Sequence, residues 1–498
     1  MSQPSLFSSR AIRIAALFIL FSTALAIRLY DLTDLPLDIH PTRQLLSAIK
    51  ARALYFETQP DGISTKHLDI GIHQAKLKAQ VEPVIFERLV AYTYRFTGEK
   101  LWIARIYSSL FWLIGGIFLF LLVQDLISFD AAFFSTAYYL FFPYAIIASR
   151  SFQPDPLMVM FIIVFWWMFS RWTRLPSWPN ALLAGLVGGL AILIKFSAAF
   201  FVIGAALGLA FSRFTLHDLL RKSQVWVMAI LGALPGSIYL IYGLFIEGGL
   251  GSQFSGRFIP SLLLSPLNYL QWMTKVDITT GGIFVVLALL GFFLIDDKRW
   301  RSFMFGLWGS YLLYSLFFDY HVATHDYYHL PLIPIVAVSL SPFGSWFFAR
   351  LTESTVQGYR RSVLYLILIF GLFMVTWQVR NQMKAVDYRP DAAMWAEIGK
   401  LVDGERVVAL TQDYGSRLEY WGWQTANTWP SINEMSHSEL RSGKIVLFDK
   451  MFMNYTSKRD LFLVTDFDEL KTQTQLREKL ASYHVFAQGD GYIIYSLR

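Results

Sequence analysis

Apolar segments long enough to form membrane-spanning helices recur along the first 380 residues of the sequence. A helix needs about 20 predominantly apolar residues to cross the ~30 Å hydrocarbon core of a bilayer. Only 16% of the residues are charged, whereas soluble proteins average about 25%. The sequence therefore predicts a polytopic α-helical membrane protein with about eleven spans, near residues 11–29, 101–123, 131–148, 156–170, 181–195, 197–211, 224–246, 280–295, 302–318, 331–349 and 362–378.

Basic residues set the predicted orientation, because cytoplasmic loops carry an excess of Lys and Arg. Such residues occur in alternate connections between the predicted spans, for example Arg171 with Arg174 and Arg360 with Arg361. This pattern puts the N-terminus inside and, after an odd number of spans, the C-terminal segment outside. The net charge of +7 fits this bias and gives no reason to expect nucleic acid as a partner.

The composition changes near residue 381, where short strand and helix patterns begin to alternate. The stretches RVVALT and DLFLVTDF indicate strands, and DAAMWAEIGKLV indicates an amphipathic helix. Such alternation is typical of an α/β fold. We therefore predict a membrane domain over 1–380, with a first exterior loop at 30–100, and a small extracytoplasmic α/β domain over 381–498. On the small domain, the charged residues Asp413, Arg417 and Glu419 are predicted to form a solvated face.

The first exterior loop contains an acid, an imidazole and a guanidinium within the stretch LPLDIHPTRQ, at Asp38, His40 and Arg43. A surface helix is predicted to follow over 42–58, and a second one over 82–96. The second opens with Glu82 and a proline, a residue favoured in a first helical turn. An oxyanion near the N-terminus of a helix gains from the helix dipole and from free N–H groups. The alternative interpretation is that Asp38 only caps the helix while Arg43 reaches lipid headgroups.

Further polar residues fall on the same predicted exterior side of the membrane. They are Asp155 in SRSFQPDP, Lys195 in LAILIKFSAAF, Arg257 in the loop 247–279, and His325 and Tyr328 in HDYYHLPLIP. A charge at membrane depth is costly and usually faces a polar cavity, and a lone lysine at a span junction is costly without an anion. We therefore expect these residues to converge with the first loop on one polar pocket just outside the hydrocarbon core.

In this order, these motifs resemble those of the GT-C superfamily of integral-membrane glycosyltransferases. The resemblance is closest to the branch of dolichyl-phosphate-mannose–protein mannosyltransferases and lipid A aminoarabinose transferases. It rests on the acid of the first loop followed by Thr-Arg, on Glu82 with its proline, and on the stretches LWIARIYSSLFWLIGG, SRSFQPDPLMVMF, LAILIKFSAAF and HDYYHLPLIPIVA. One departure concerns the base, because His40 occupies the position where much of the family has an acid. The nearest acid is Asp38, five residues before Arg43.

The resemblance implies an inverting glycosyltransferase that moves a sugar from a polyprenyl-phosphate donor to an acceptor hydroxyl at the outer face of the membrane. It implies Asp38 as general base, with His40 as the alternative, since the attacking oxygen needs a base within hydrogen-bond reach. Cations fixed in a partly dry cavity would stabilise the departing phosphate. The residues implied for binding this phosphate are Arg43, Lys195 and Arg257 as cations and His325 and Tyr328 as hydrogen-bond donors.

Two carboxylates, Asp155 and Glu82, are implied to orient the acceptor or the base, or to bind a divalent metal as in some relatives. The sequence itself requires no cofactor, and no spacing demands a metal. The implied partners are a lipid-linked sugar donor, an acceptor glycan, lipid or protein, and membrane lipid. The implied location is the inner (plasma) membrane of a bacterium, with the active site and the C-terminal domain extracytoplasmic.

The main alternative is a transporter or flippase for an anionic or lipid-linked substrate. A transporter needs charges along a path through the membrane and broken spans in paired halves, whereas the polar groups here lie on one predicted side. An O-antigen ligase-like transferase would have its long exterior loop late in the chain, but here the long loop is the first. A non-catalytic scaffold for the C-terminal domain would have no use for Asp38, Asp155 and Lys195 on one side.

Overall fold

The structure is a computed structural model. It describes residue 7 and residues 9–78, 82–246, 248, 250–251, 258–353, 358–442 and 447–498. Up to residue 385 these residues are almost entirely helical. The α-helices of this part are Arg10–Arg28, Pro41–Phe56, Thr65–Leu77, Ile85–Thr97, Trp102–Leu126, Phe129–Phe141, Pro143–Ala148, Asp155–Arg174, Trp178–Ile194, Ala198–Phe211, Leu216–Arg221, Ser223–Ile241, Pro266–Thr280, Gly282–Leu290, Lys298–Phe317, Asp319–Thr324, Leu332–Ser339, Ser341–Glu353 and Gly358–Met383.

The chain is a multi-pass membrane protein. Among the described residues, six helices are long and apolar enough to cross a membrane, and a bent helix pair makes up to seven candidates. The predicted count of about eleven spans is not confirmed, because several helices at predicted positions are short or broken. Trp178–Ile194 and Ala198–Phe211, for example, have only 17 and 14 residues.

The bent pair joins Pro266–Thr280 to Gly282–Phe293 at an angle of 87°. Gly281 lies at the break with φ 72°, in the left-handed region that a residue without Cβ enters at little cost. The hydroxyl of Tyr138 donates a hydrogen bond to the carbonyl oxygen of Thr280 at 2.7 Å. A backbone carbonyl released by the break therefore has a partner inside the protein, as a low-dielectric environment requires.

The described chain divides into two compact units. The first unit comprises Met1–Leu32, Gln80–Phe86 and Trp102–Ala385, and the second comprises Thr33–Ala79, Glu87–Leu101 and Val386–Arg498. Most of the predicted first exterior loop thus belongs with the C-terminal segment. The predicted domain limits at 380 and 381 stay a prediction.

Close packing of small residues fixes the helix that follows Lys195 in the first unit. A Cβ atom added to Gly306 on Lys298–Phe317 would lie 2.2 Å from the carbonyl oxygen of Gly204, and one on Gly204 would lie 2.5 Å from that of Gly306. Membrane helices that approach this closely use small residues at their contact. The helix Ala198–Phe211 is therefore held against Lys298–Phe317 by their two backbones.

The C-terminal part of the second unit forms a five-stranded sheet, as the alternating pattern predicts. Its strands are β1 (Val407–Leu410), β2 (Ala426–Thr428), β3 (Leu461–Val464), β4 (Val485–Gly489) and β5 (Tyr492–Ser496). The order is β2-β1-β3-β5-β4, with β1 parallel to β2 and β3, and β5 antiparallel to β3 and β4. The helices of this part are Asp391–Leu401, Ser416–Gly422, Ile432–Ser442, Phe448–Thr456, Phe467–Thr472 and Thr474–Leu480.

Strand β1 is buried on both faces. Val407 and Ala409 pack in one apolar cluster, with Trp395 and Ile398 of the helix Asp391–Leu401. Val408 packs in a second cluster, and so does Leu410. A parallel strand covered on both sides has a continuous apolar sequence instead of an alternating one, which explains VVAL.

The helices of the first exterior loop differ in part from the prediction. Pro41–Phe56 corresponds to the predicted helix at 42–58, but the second predicted helix begins at Ile85 instead of Glu82. Glu82 and its proline therefore precede this helix and do not form its first turn. A further helix, Thr65–Leu77, lies between the two and was not expected from its largely polar sequence.

Candidate functional site

A buried ion pair joins two candidate residues of the first unit. The Lys195 ammonium donates a hydrogen bond to Asp155 Oδ1 at 2.8 Å, and the two side chains are 10% and 1% exposed. Asp155 is the first residue of the helix Asp155–Arg174, where the helix dipole favours a negative charge. Lys195 directly follows the last residue of Trp178–Ile194 in an extended conformation. The expectation of a lone lysine is therefore wrong, because Asp155 is its partner.

Two tyrosine rings flank this pair. The Lys195 Nζ lies 5.2 Å from the ring centroids of both Tyr327 and Tyr328, within the range of a cation–π contact. The hydroxyl of Tyr144 donates a hydrogen bond to the neighbouring Asp326 at 2.9 Å. The predicted Tyr328 thus lies beside Lys195. Tyr327 was missed, although the adjacent tyrosines in HDYYH were a visible signal.

The predicted His325 is the first residue of the HDYYH stretch and is partly buried. Its Nδ1 is 2.7 Å from the Thr324 hydroxyl, and its ring centroid is 6.1 Å from that of Tyr328. The structure therefore brings His325 near the ring of Tyr328, while the contact with Lys195 is made by the tyrosines.

His329 anchors this segment from within. Its Nδ1 is 2.8 Å from the Tyr311 hydroxyl and its Nε2 is 2.8 Å from the Val322 carbonyl oxygen. Burial lowers the pKa of His329 to about 4, so the imidazole is neutral near pH 7. A neutral ring that donates from Nε2 to the carbonyl accepts the tyrosine proton at Nδ1. His329 is therefore a structural residue that holds the tyrosine pair.

Arg150, which closely precedes Asp155, has a structural role. The side chain is buried, and it donates hydrogen bonds to the carbonyl oxygens of Tyr30 at 2.7 Å and Asp31 at 3.2 Å. The nearby Arg28 donates to the Ser149 hydroxyl at 2.8 Å. These bonds tie the end of the first apolar helix to the SRSFQPD stretch.

In the second unit, Asp38 is held by the helix that follows it. The amide of the fully buried Gln44 donates to Asp38 Oδ1 at 3.2 Å and to the Ile39 carbonyl oxygen at 2.7 Å. The N-cap residue of Pro41–Phe56 is His40, with φ 42° and ψ 59° and no side-chain capping bond. The N-cap position is therefore occupied by His40 and not by Asp38. Arg43 follows in the first helical turn and is partly buried.

Tyr388 lies close to the same carboxylate. Burial and then the negative charge of Asp38 raise the pKa of the Tyr388 phenol. Its backbone N–H donates to the Asp34 carboxylate at 3.0 Å. Residues from the start of the C-terminal segment therefore border the loop that carries Asp38, which the sequence did not indicate.

The predicted solvated face of the small domain is wrong, because its three residues are largely buried. Arg417 pairs with Asp413 at 2.6 Å and with Asp391 at 2.8 Å. Glu419 pairs with Lys78, and burial raises the pKa of the Glu419 carboxyl above its ordinary value. These charges are therefore internal contacts of the second unit.

Two further candidates remain. Glu82 lies partly exposed before the helix Ile85–Thr97, and Arg257 lies outside the described residues. Over the described ranges, no group of three or more histidine, aspartate or glutamate side chains is arranged to hold a metal ion. A divalent metal and the convergence of all candidates on one site stay predictions.

Residues 81–242 match a family model described as dolichyl-phosphate-mannose-protein mannosyltransferase. The structure of ArnT from Cupriavidus metallidurans in the apo state aligns over 97% of this chain and 98% of its own, with TM-score 0.58 and 14% identity. ArnT bound to undecaprenyl phosphate aligns over 98% and 97%, with TM-score 0.55 and 16% identity.

A second protein has a similar fold. The oligosaccharyltransferase AglB from Archaeoglobus fulgidus, in complex with an inhibitory peptide and a dolichol-phosphate, aligns over 97% of this chain and 74% of its own. The TM-score is 0.51 and the identity is 10%. No curated protein sequence matches at a significant level. At such identities the structural similarity establishes the fold.

Proposed function

We propose that this chain, whose fold is similar to those of ArnT and AglB, is an integral-membrane glycosyltransferase of the GT-C superfamily that transfers a sugar from a polyprenyl-phosphate donor to an acceptor hydroxyl. The observation that carries the proposal is the buried Asp155–Lys195 pair, which lies within the residues matched by the mannosyltransferase model. Undecaprenyl phosphate bound to ArnT and dolichol-phosphate bound to AglB support a lipid phosphate as ligand.

Lys195 is the residue proposed to bind the donor phosphate. An ammonium group has three N–H donors, and one of them is used by Asp155. The remaining donors suit an anion whose negative charge grows as the glycosidic bond breaks. A cation already fixed in a low-dielectric site stabilises that charge without reorganising. Asp155 then acts by orienting the ammonium, and the tyrosine pair restricts the space around it.

Asp38 is proposed as the general base. The acceptor oxygen attacks the anomeric carbon, the bond from this carbon to the phosphate oxygen breaks with inversion, and Asp38 accepts the hydroxyl proton. Gln44 supports this role, since its amide holds one carboxylate oxygen at 3.2 Å. Arg43, His325 and Tyr328 are proposed to contact the donor, and Glu82 the acceptor. We propose an extracytoplasmic site in a bacterial inner membrane.

The test uses purified protein in lipid nanodiscs with a panel of polyprenyl-phosphate sugars, including mannose and aminoarabinose. Release of free polyprenyl phosphate that depends on an added acceptor, with an inverted anomeric configuration in the product, is expected. Wild-type protein in sealed vesicles is compared in parallel. Movement of the intact lipid-linked sugar across the bilayer without release of polyprenyl phosphate would contradict the proposal and favour a flippase.

A further inference from the structure

A chain of hydrogen bonds joins the C-terminal segment to the helix that follows Asp38, all within the second unit. Arg417 Nε donates to Asp413 Oδ2 at 2.6 Å, and its NH1 donates to Asp391 at 2.8 Å. The other oxygen of Asp413 accepts a hydrogen bond from the Thr42 hydroxyl at 3.2 Å. Thr42 lies in the first turn of Pro41–Phe56, four residues after Asp38.

Asp413 lies in an unusual backbone conformation. Asp413, Tyr414 and Gly415 have φ of 58°, 53° and 72° in succession. Residues with a Cβ are rare in this left-handed region, and they persist where surrounding contacts over-determine the backbone. Here the side chain of Arg417, one turn further on, holds the Asp413 carboxylate.

The position of this turn in the sheet is also informative. It directly follows β1, and the neighbours of β1 are β2 on one side and β3 on the other. The strand order therefore reverses direction between β1 and β3. Ligands of α/β sheets usually bind at the carboxyl ends of the parallel strands that flank such a point. In this protein the side chain that binds at this edge is that of Thr42, which donates a hydrogen bond to Asp413.

The loop that carries Asp38 has further contacts of the same kind. The Asp34 carboxylate accepts the Tyr388 backbone N–H at 3.0 Å, so the loop is bonded to the C-terminal segment on both sides of Asp38. His40 is itself left-handed, with φ 42°. The loop around Asp38, which includes this left-handed residue, is therefore bonded to partners 354 and 371 residues away in the sequence.

We propose that Asp413 and Arg417 are positioning residues for the transfer reaction. They hold the first turn of Pro41–Phe56, and with it the Asp38 carboxylate. In this orientation Asp38 can take up the proton of the acceptor hydroxyl. The C-terminal segment is thus part of the catalytic apparatus and not an independent module. This inference rests on the proposed function of Asp38.

The first experiment separates positioning from folding. Single-turnover rate, KM for the lipid-linked donor and Tm are measured for Arg417→Gln, Arg417→Lys and a matched control, Arg406→Gln. Arg406 pairs with Asp460 at 2.9 Å, at the amino ends of β1 and β3, and therefore tests the loss of an Arg–Asp pair in the same sheet.

A displaced catalytic group lowers the rate by about 10- to 100-fold. Arg417→Gln is expected to lose this much in kcat with a smaller change in the KM for donor, because Arg43 is the one proposed donor contact that lies in the turn held by Asp413. Arg417→Lys should recover part of the rate, since it restores the charge without the planar fork. Wild-type kcat in Arg417→Gln, or an equal loss in Arg406→Gln, would overturn the proposal.

The second experiment is a double-mutant cycle between Thr42→Val and Asp413→Asn. Asparagine tolerates the left-handed backbone, and valine replaces the hydroxyl by a methyl group, so both changes are mild for folding. If Asp413 acts through Thr42, the double variant should be no slower than the slower single variant, whereas independent effects multiply. Multiplying losses, or no loss in either single variant, would overturn the positioning role.

Asp38→Asn, measured in the same series, distinguishes a failure of the positioning inference from a failure of the proposed function. If it is inactive while the Arg417 and Asp413 variants have the wild-type rate, only the positioning inference fails. If Asp38→Asn itself reacts at the wild-type rate, the proposed function of this loop fails, and the inference fails with it.

Discussion

Removing the Lys195 ammonium alone should destabilise the folded protein. In Lys195→Met the Asp155 carboxylate, 1% exposed, loses its cation at 2.8 Å. Breaking a buried ion pair by removing one partner costs about 3–5 kcal/mol. The expected loss in the free energy of unfolding is therefore about 3–5 kcal/mol.

The same reasoning predicts how a second substitution changes this loss. The double variant Asp155→Asn with Lys195→Met should recover most of the stability at pH 7, because removing a whole buried pair is often nearly neutral. That variant should stay folded yet lose affinity for polyprenyl phosphate.

The assay is thermal unfolding in detergent at pH 7, followed by tryptophan fluorescence, with Lys298→Met as control. Lys298 is exposed at the start of Lys298–Phe317, and its loss should change Tm little. A Lys195→Met variant as stable as wild type at pH 7 would refute the reasoning. So would a double variant that is less stable than the single one.

Three more predictions concern the buried imidazole of His329, the contact between Gly204 and Gly306, and the side of the membrane on which the C-terminal segment lies. Because burial lowers the pKa of His329 to about 4, stability present above pH 6.5 should fall by about 3 kcal/mol as the pH drops towards 4. In thermal unfolding, His329→Gln should lack this pH dependence, and an unchanged pH profile would contradict it. Gly306→Val should lower Tm, since its Cβ would lie 2.2 Å from the Gly204 carbonyl oxygen, and an unchanged Tm would exclude this helix contact. Protease outside sealed spheroplasts should trim the segment 381–498, whereas protection there with cleavage in inverted vesicles would reverse the topology.

Features that depend on local sequence were predictable. Long apolar runs gave the membrane helices, and the patterns of RVVALT and DLFLVTDF gave β1 and β3. Strand β2 was missed, since its three residues Ala426–Thr428 carry no apolar pattern and pair in parallel with β1. Phe142-Pro143 breaks a predicted span because proline cannot donate the backbone bond of a helix interior, so the number of spans could not be read from hydropathy alone.

For the candidate residues too, the local position was predictable from the sequence and the contacts were not. Asp155 and Lys195 were both placed at exterior helix ends from the sequence, and they form an ion pair. Their pairing itself was not predicted, because it depends on how two helices pack. Arg417 and Asp413 were assigned to solvent, since a charge cluster is usually solvated. Their partner Thr42 lies 371 residues from Asp413 in the sequence, a separation at which no local pattern is informative.

The central claim is that Asp38 accepts the acceptor proton. It is tested most directly by single-turnover transfer from a polyprenyl-phosphate sugar, comparing Asp38→Asn with His40→Gln. Loss of a positioned base lowers the rate by about 10²–10⁴-fold, and Asp38→Asn should lose this much while donor binding stays within about twofold. His40→Gln should retain most of its rate. Normal turnover by Asp38→Asn, with an inactive His40→Gln, would contradict the claim and assign the base to His40.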